Sequence, residues 1–156
     1  MFTVDIPGRG RLEIAHLALD LNGTLAVDGA VVEAVVERLQ ALSRIVQVHV
    51  VTADTFGTAA TLHVIGVHVQ VLAPGDQVEA KAALVRTLGA VHTMAIGNGA
   101  NDEVMVRKAV LGVAIVGREG AFSRTVLAAD IVVGRIEDAL DLLLIPKRLV
   151  ATLRTR

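Results

Sequence analysis

Apolar residues follow two alternating rhythms along the chain. Short, nearly continuous apolar runs predict strands at 2–6 (FTVDI), 11–19 (RLEIAHLAL), 45–51 (IVQVHVV), 67–72 (VHVQVL), 91–96 (VHTMAI), 111–116 (LGVAIV) and 130–133 (DIVV). Runs of that length without strict alternation suit a sheet covered on both faces. Helical spacing takes over between them. Val31, Val32, Val35, Val36, Leu39 and Leu42 form a stripe behind an Asp28-Gly29 turn. Asp76 followed by Glu79 has the form of a capping box and predicts a helix over 77–88, stopped by Gly89. Asn101 or Asp102 is placed to cap a short helix through Lys108, and another covers about 119–128. Residues 136–144 are periodic until Pro146, after which KRLVATLRTR reads as a terminal helix or tail. The Pro7-Gly8-Arg9-Gly10 turn predicts an amino-terminal hairpin, and from Leu17 onward strand and helix alternate as in parallel βαβ construction. With no repeat, low-complexity tract or linker, residues 1–156 are expected to form one domain. The expected fold is a three-layer, doubly wound, Rossmann-like α/β sandwich with a mainly parallel sheet.

Composition narrows the picture. Hydrophobic residues make up 53% of the chain, yet there are three Phe and no Trp or Tyr, so Val, Leu, Ile and Ala must build the core. Such an apolar surplus leaves room for a surface covered by a second copy, and a homo-oligomer is expected. A formal net charge of -1 offers no electrostatic case for nucleic acid or an anionic membrane. The absence of Cys excludes disulfides and thiolate metal sites and fits a cytoplasmic protein. MFTVDIPGRG breaks too early for a secretory apolar core, and no apolar run approaches the roughly 18 residues of a membrane span.

The candidate chemistry sits at predicted strand ends. Asp20 closes the run HLALD, Thr52 follows the 45–51 strand, and Gly97-Asn98-Gly99-Ala100-Asn101-Asp102 follows the 91–96 strand. Lys81 falls in the first turns of the 77–88 helix. Carboxyl ends of neighbouring parallel strands open on one crevice, so these groups can converge despite their distance in sequence. A carboxylate nucleophile, a hydroxyl, an ammonium and a second carboxylate beside a Gly-rich loop suit phosphoryl transfer, whose equatorial oxygens demand positive charge and donors.

Asp20-Leu21-Asn22-Gly23-Thr24-Leu25, Thr52 in VVTADT, Lys81 and Gly97–Asp102 resemble, in order and spacing, the four motifs of the haloacid dehalogenase (HAD) superfamily. The resemblance spans essentially the whole chain and comes nearest to the small, soluble, P-type-ATPase-like group. It implies that Asp20 attacks phosphorus and becomes an aspartyl phosphate, while Thr52, its neighbour Ala53 and Lys81 bind the phosphoryl oxygens. It also implies a Mg²⁺ ion held by Asp20, the backbone carbonyl of Asn22, and Asn98 and Asp102. A hard cation with few protein oxygens and several waters suits magnesium. The implied partner is a small phosphorylated substrate or a phosphoprotein.

Two departures bear on activity. Asn22 stands where the family's phosphatases carry the general acid-base Asp, and Asn98 replaces a metal-binding carboxylate. A carboxamide can orient water but cannot take its proton, and general acid-base catalysis is worth about 10² to 10⁴ in rate. Slow turnover is therefore expected, with phosphoenzyme hydrolysis hit hardest. The alternative is a catalytically weak scaffold that binds phosphate or metal for regulation or assembly. The intervals Asp20–Thr52 and Thr52–Lys81, 32 and 29 positions, leave no room for a cap domain or a nucleotide-binding insertion. Asn22-Gly23 and Asn98-Gly99 are also deamidation-prone pairs. The five histidines show no paired metal-ligand spacing along the chain, and Lys147, Arg148, Arg154 and Arg156 read as a solvated basic end.

Overall fold

A computed structural model describes residues 1–27, 30, 31, 33–53, 62, 63 and 65–156. Its strands are β1 (Phe2–Ile6), β2 (Gly10–Ile14), β3 (His16–Asp20), β4 (Ala26–Val27), β5 (Ala30–Val31), β6 (Gln47–Thr52), β7 (His68–Val71), β8 (Thr93–Gly97), β9 (Leu111–Ile115) and β10 (Ile131–Val133). The helices are α1 (Glu33–Ser43), α2 (Gln77–Leu88), α3 (Glu103–Lys108), α4 (Ser123–Ala128), α5 (Ile136–Leu144) and α6 (Pro146–Leu153). Six strands form one parallel sheet in the order β10-β9-β8-β3-β6-β7. β3, first of the six in sequence, lies between β6 and β8, so the winding reverses there and opens a crevice at the strands' carboxyl ends.

The continuous apolar runs occupy the centre, as expected for strands buried on both faces. Every residue of β8 and β9 is buried, and so are Leu17 to Asp20 of β3. One face carries Ala18, Val51 and Ala95 against Val85 of α2 and Met105 of α3. The other carries Leu17, Leu19, Val48, Val50 and Ile96 against α1, α5 and α6, with Leu39, Leu140 and Leu149 fully buried. The core is aliphatic, as the composition requires.

Several boundaries differ from those read from the sequence, each for a local reason. The 11–19 run is two strands. Ala15 donates to the His92 carbonyl (2.8 Å) and accepts from Gln47 (2.9 Å), and here the chain passes from the hairpin β1–β2 into the parallel sheet. Val31 belongs to β5 and pairs with Ala26, so α1 starts only at Glu33; the Asp28-Gly29 turn and Val32 lie outside the described residues. Asp76 caps α2 as expected, accepting from the Glu79 N–H (3.0 Å). Asp102 does not cap α3 with its side chain. The 119–128 helix begins at Ser123, because residues 117–120 form a tight turn with Gly120 N–H donating to the Gly117 carbonyl. The basic end is partly tied down. Arg148 and Arg38 both bond Asp141, at 3.0 and 2.8 Å, which joins α6, α1 and α5.

Candidate active site

Alternation along a strand puts Ala18 and Asp20 on the same sheet face, and that face packs on α2 through Val85. Lys81, one helical turn before Val85, therefore reaches the end of β3. Its Nζ donates to Asp20 Oδ1 and to Asp102 Oδ1, each at 2.7 Å, with Lys81 only 1% exposed. Asp102 is fully buried, and its other oxygen accepts from the backbone N–H groups of Asn98 (3.0 Å) and Gly99 (2.9 Å). The strand-to-helix loop thus folds round one carboxylate. Gly97 permits this approach, since a Cβ there would lie 2.5 Å from Asp102 Cβ.

The loop after β3 is equally constrained. The Leu21 carbonyl accepts from Thr24, Leu25 and Ala26, and the Gly23 N–H donates to Ala26. Gly23 takes φ +74°, a backbone region that favours glycine. This turn exposes Asn22 and buries Thr24, whose hydroxyl donates to Asn98 Oδ1 at 3.3 Å. Thr52 ends β6, which pairs with β3 so that Val51 stands opposite Asp20; Thr52 is buried one residue beyond that level, and Ala53 is exposed. Asp20, Lys81, Asp102, Asn98 and Thr52 thus share the carboxyl end of three adjacent strands. The sequence alone assigned no role to Thr24 or to the 117–120 turn. The second is held to the site by Asn98, which donates Nδ2–H to the Gly120 carbonyl (3.3 Å) and accepts from Phe122 N–H (2.8 Å). A Gly-flanked tetrapeptide just past a strand was the only available signal for it.

Two buried carboxylates face one ammonium. Burial, reinforced by Asp102 and opposed by Lys81, pushes the Asp20 carboxyl up to about 6. Burial alone would lower Lys81; the two carboxylates outweigh it and hold the ammonium above its ordinary value. Among the described residues no group of three or more His, Asp or Glu gathers so as to hold a metal by itself. The oxygen set at Asp20 and Asn98 is of the sparse, hard kind that a strongly hydrated divalent cation uses. Deamidation is opposed at both Asn-Gly pairs, because each glycine nitrogen that would attack is engaged, Gly23 N–H with Ala26 and Gly99 N–H with Asp102, both at 2.9 Å.

At the opposite end of the same face, strand register assembles what sequence spacing did not show. His16, His49 and His68 lie side by side on β3, β6 and β7, with ring centroids 5.4 and 5.1 Å apart. Burial, then His68 and His16, hold His49 down at about 4. These two perturbed groups act oppositely on stability. Between its ordinary 3.8 and about 6, folded Asp20 binds a proton that the unfolded chain releases, so its contribution falls as pH rises. Between about 4 and 6.5, the unfolded chain protonates His49 and the fold does not, so that contribution rises with pH. Urea melts across this window in EDTA should give Asp20→Asn a stability that rises with pH and His49→Gln one that falls. Slopes of the same sign in both variants would refute the assignment.

Comparison with known proteins adds family and fold. No protein-family model matches the chain. It is 57% identical over 61 residues (39% of the chain, 66% of the relative) to the uncharacterized protein MJ0073 of Methanocaldococcus jannaschii. It is 46% identical over 39 residues (25% of the chain, 89% of the relative) to MJ0072 of the same organism. A 65-residue stretch, 42% of the chain, is 43% identical to 4% of the phospholipid-transporting ATPase dnf2 of Schizosaccharomyces pombe. Among solved structures, a 3-deoxy-D-manno-octulosonate 8-phosphate phosphatase from Moraxella catarrhalis, bound to magnesium, phosphate and KDO, superposes with a TM-score of 0.68 at 20% identity, covering 90% of this chain and 94% of that one. The cobalt-bound deoxy-D-mannose-octulosonate 8-phosphate phosphatase of Haemophilus influenzae gives 0.71 at 16% identity, covering 92% and 94%. A Legionella pneumophila chain assigned to HAD subfamily III A gives 0.65 at 20%, covering 89% and 86%. The chain therefore belongs to one family with MJ0072 and has the fold of the HAD-superfamily phosphatases.

Proposed function

We propose that this protein is a Mg²⁺-dependent phosphohydrolase or phosphotransferase acting on a small phosphorylated substrate through an aspartyl phosphate on Asp20. The observation that carries the reading is the buried Lys81 ammonium, held 2.7 Å from both Asp20 and Asp102 at the switch point of the sheet. Asp20 is the carboxylate nearer solvent, with one oxygen on Lys81, so the other is left to attack phosphorus in line as the ester oxygen departs. In this reading Lys81 and Thr52 bind the phosphoryl oxygens, with Ala53, which is exposed, beside them. Asp102 accepts three hydrogen bonds, which hold Lys81 and the 97–102 loop in position, and it would contribute to the metal site directly or through water. Asp20, the Asn22 carbonyl and Asn98 Oδ1 would hold the Mg²⁺, which when bound neutralises the phosphate and the surplus carboxylate charge.

Alongside the crevice runs a cavity of about 470 Å³, bounded by Gly23, Leu25, Ile115, Arg118 and Ile136, a size that suits a small organic leaving group. The finer placement among P-type-ATPase-like proteins draws support from the likeness to dnf2. The amides at Asn22 and Asn98 favour one rival, a scaffold that binds phosphate or metal without turnover. An aryl phosphate with Mg²⁺ separates the two readings, because its leaving group departs without an acid. The enzyme should release phenolate steadily and stop on chelation, and Mg²⁺ at 100 times its Kd should stabilise the fold by about 2.7 kcal/mol. Stabilisation without any phosphoryl transfer would favour the scaffold.

A further inference from the structure

We propose that Glu119 carries out the proton transfers that Asn22 cannot; the inference rests on Asp20 being the nucleophile. The chain has no acid at position 22, yet an acid from a distant segment stands over the same turn. A Cβ built on Gly23, the residue after Asn22, would lie 2.6 Å from Glu119 Oε2 and 2.7 Å from Asn98 Nδ2. The carboxylate therefore sits directly above the loop that follows Asp20. Gly23 is the residue that leaves it space.

The turn carrying Glu119 is pinned, and the pin is the other departure. The Asn98 side chain donates Nδ2–H to the Gly120 carbonyl (3.3 Å), and its backbone carbonyl accepts from Phe122 N–H (2.8 Å), which fixes the segment just after Glu119. An ionised Asp at position 98 has no proton to give Gly120 and would repel Glu119. The two amides thus belong to one arrangement: Asn98 holds the turn, and the turn supplies the acid missing at Asn22. Glu119 itself is exposed and, among the described residues, makes no ion pair or hydrogen bond that would occupy it. Its neighbours Gly117 and Arg118 line the 470 Å³ cavity, so it stands on the border between that cavity and the Asp20 loop.

The steps balance. An Asp20 carboxylate oxygen forms a bond to phosphorus as the phosphorus–ester oxygen bond breaks, and protonated Glu119 gives its proton to the departing alkoxide. The Glu119 carboxylate then takes a proton from the water that attacks the phosphoryl group of phosphorylated Asp20. Phosphate leaves, and Asp20 and protonated Glu119 are restored.

Glu119→Gln keeps shape and exposure and removes only the transferable proton. With an alkyl phosphate its kcat should fall about 10²-fold. With an aryl phosphate, rapid quench should show the phosphoenzyme forming at the wild-type rate and persisting about 10² times longer. Asn22→Asp added to Glu119→Gln should restore alkyl phosphate turnover. Unchanged alkyl turnover and phosphoenzyme lifetime would overturn the proposal, and so would equal slowing of phosphoenzyme formation from both substrates, which would mark a role in binding. If the wild-type protein forms no phosphoenzyme from the aryl phosphate, the Asp20 reading itself fails and this one falls with it.

Discussion

Asp20→Asn should give no covalent phosphoryl adduct after incubation with acetyl phosphate and Mg²⁺, and turnover should fall by about 10⁴ or more, the scale of nucleophile loss in covalent enzymes. The variant should nevertheless fold at least as well as the wild type. Its amide is close in shape to the carboxylate and removes one of two buried negative charges from beside a single ammonium, while the Lys81–Asp102 pair at 2.7 Å survives. That the carboxyl sits up near 6 says the same thing, since its charged form is disfavoured where it stands. Intact-mass analysis of acid-quenched protein, paired with a thermal melt, reads both halves. An adduct that persists in a folded Asp20→Asn protein would place the nucleophile elsewhere.

Lys81→Met should be the most damaging single change to the fold. It leaves two carboxylates buried without a cation, and breaking a buried pair in this way costs about 3–5 kcal/mol. A domain of this size has about 5–15 kcal/mol in all. The deficit should shrink as pH falls, because a carboxyl freed from Lys81 can neutralise itself by taking a proton. It should also shrink when Asp20→Asn is added. Urea denaturation at pH 8 and pH 5 measures the difference directly. A loss below about 1 kcal/mol at pH 8, the worth of an exposed pair, would show that the triad does not organise the crevice.

Much of this molecule was legible before any coordinates. Central strands such as TMAIG and LGVAI announced themselves, because a strand buried on both faces has no polar positions to spare. Asp76 and Gly89 marked the ends of α2 because caps act through local backbone geometry. Misjudged positions were those where a distant partner overrides a local pattern. The valine stripe from Val31 read as helix, but Val31 pairs with Ala26 in a two-stranded turn. Likewise the 119–128 stretch starts its helix late because Asn98 holds Gly120 and Phe122.

The same division runs through the candidate site. Which groups are available, an acid after β3, a hydroxyl after β6, an amine on α2 and an Asn-Gly loop after β8, is written in residue types and spacing, as is the lack of an acid at position 22. Their meeting depends on strand order. β8 lies beside β3 although more than 70 residues separate Asp20 from Gly97, and no local pattern encodes that adjacency. The histidine row, the double bond from Lys81 and the placing of Glu119 over Gly23 arise in the same way. Local patterns report which conformations each segment prefers. Charge pairs form only where packing brings segments together, so the ingredients were written along the chain and the candidate site emerges from its folding.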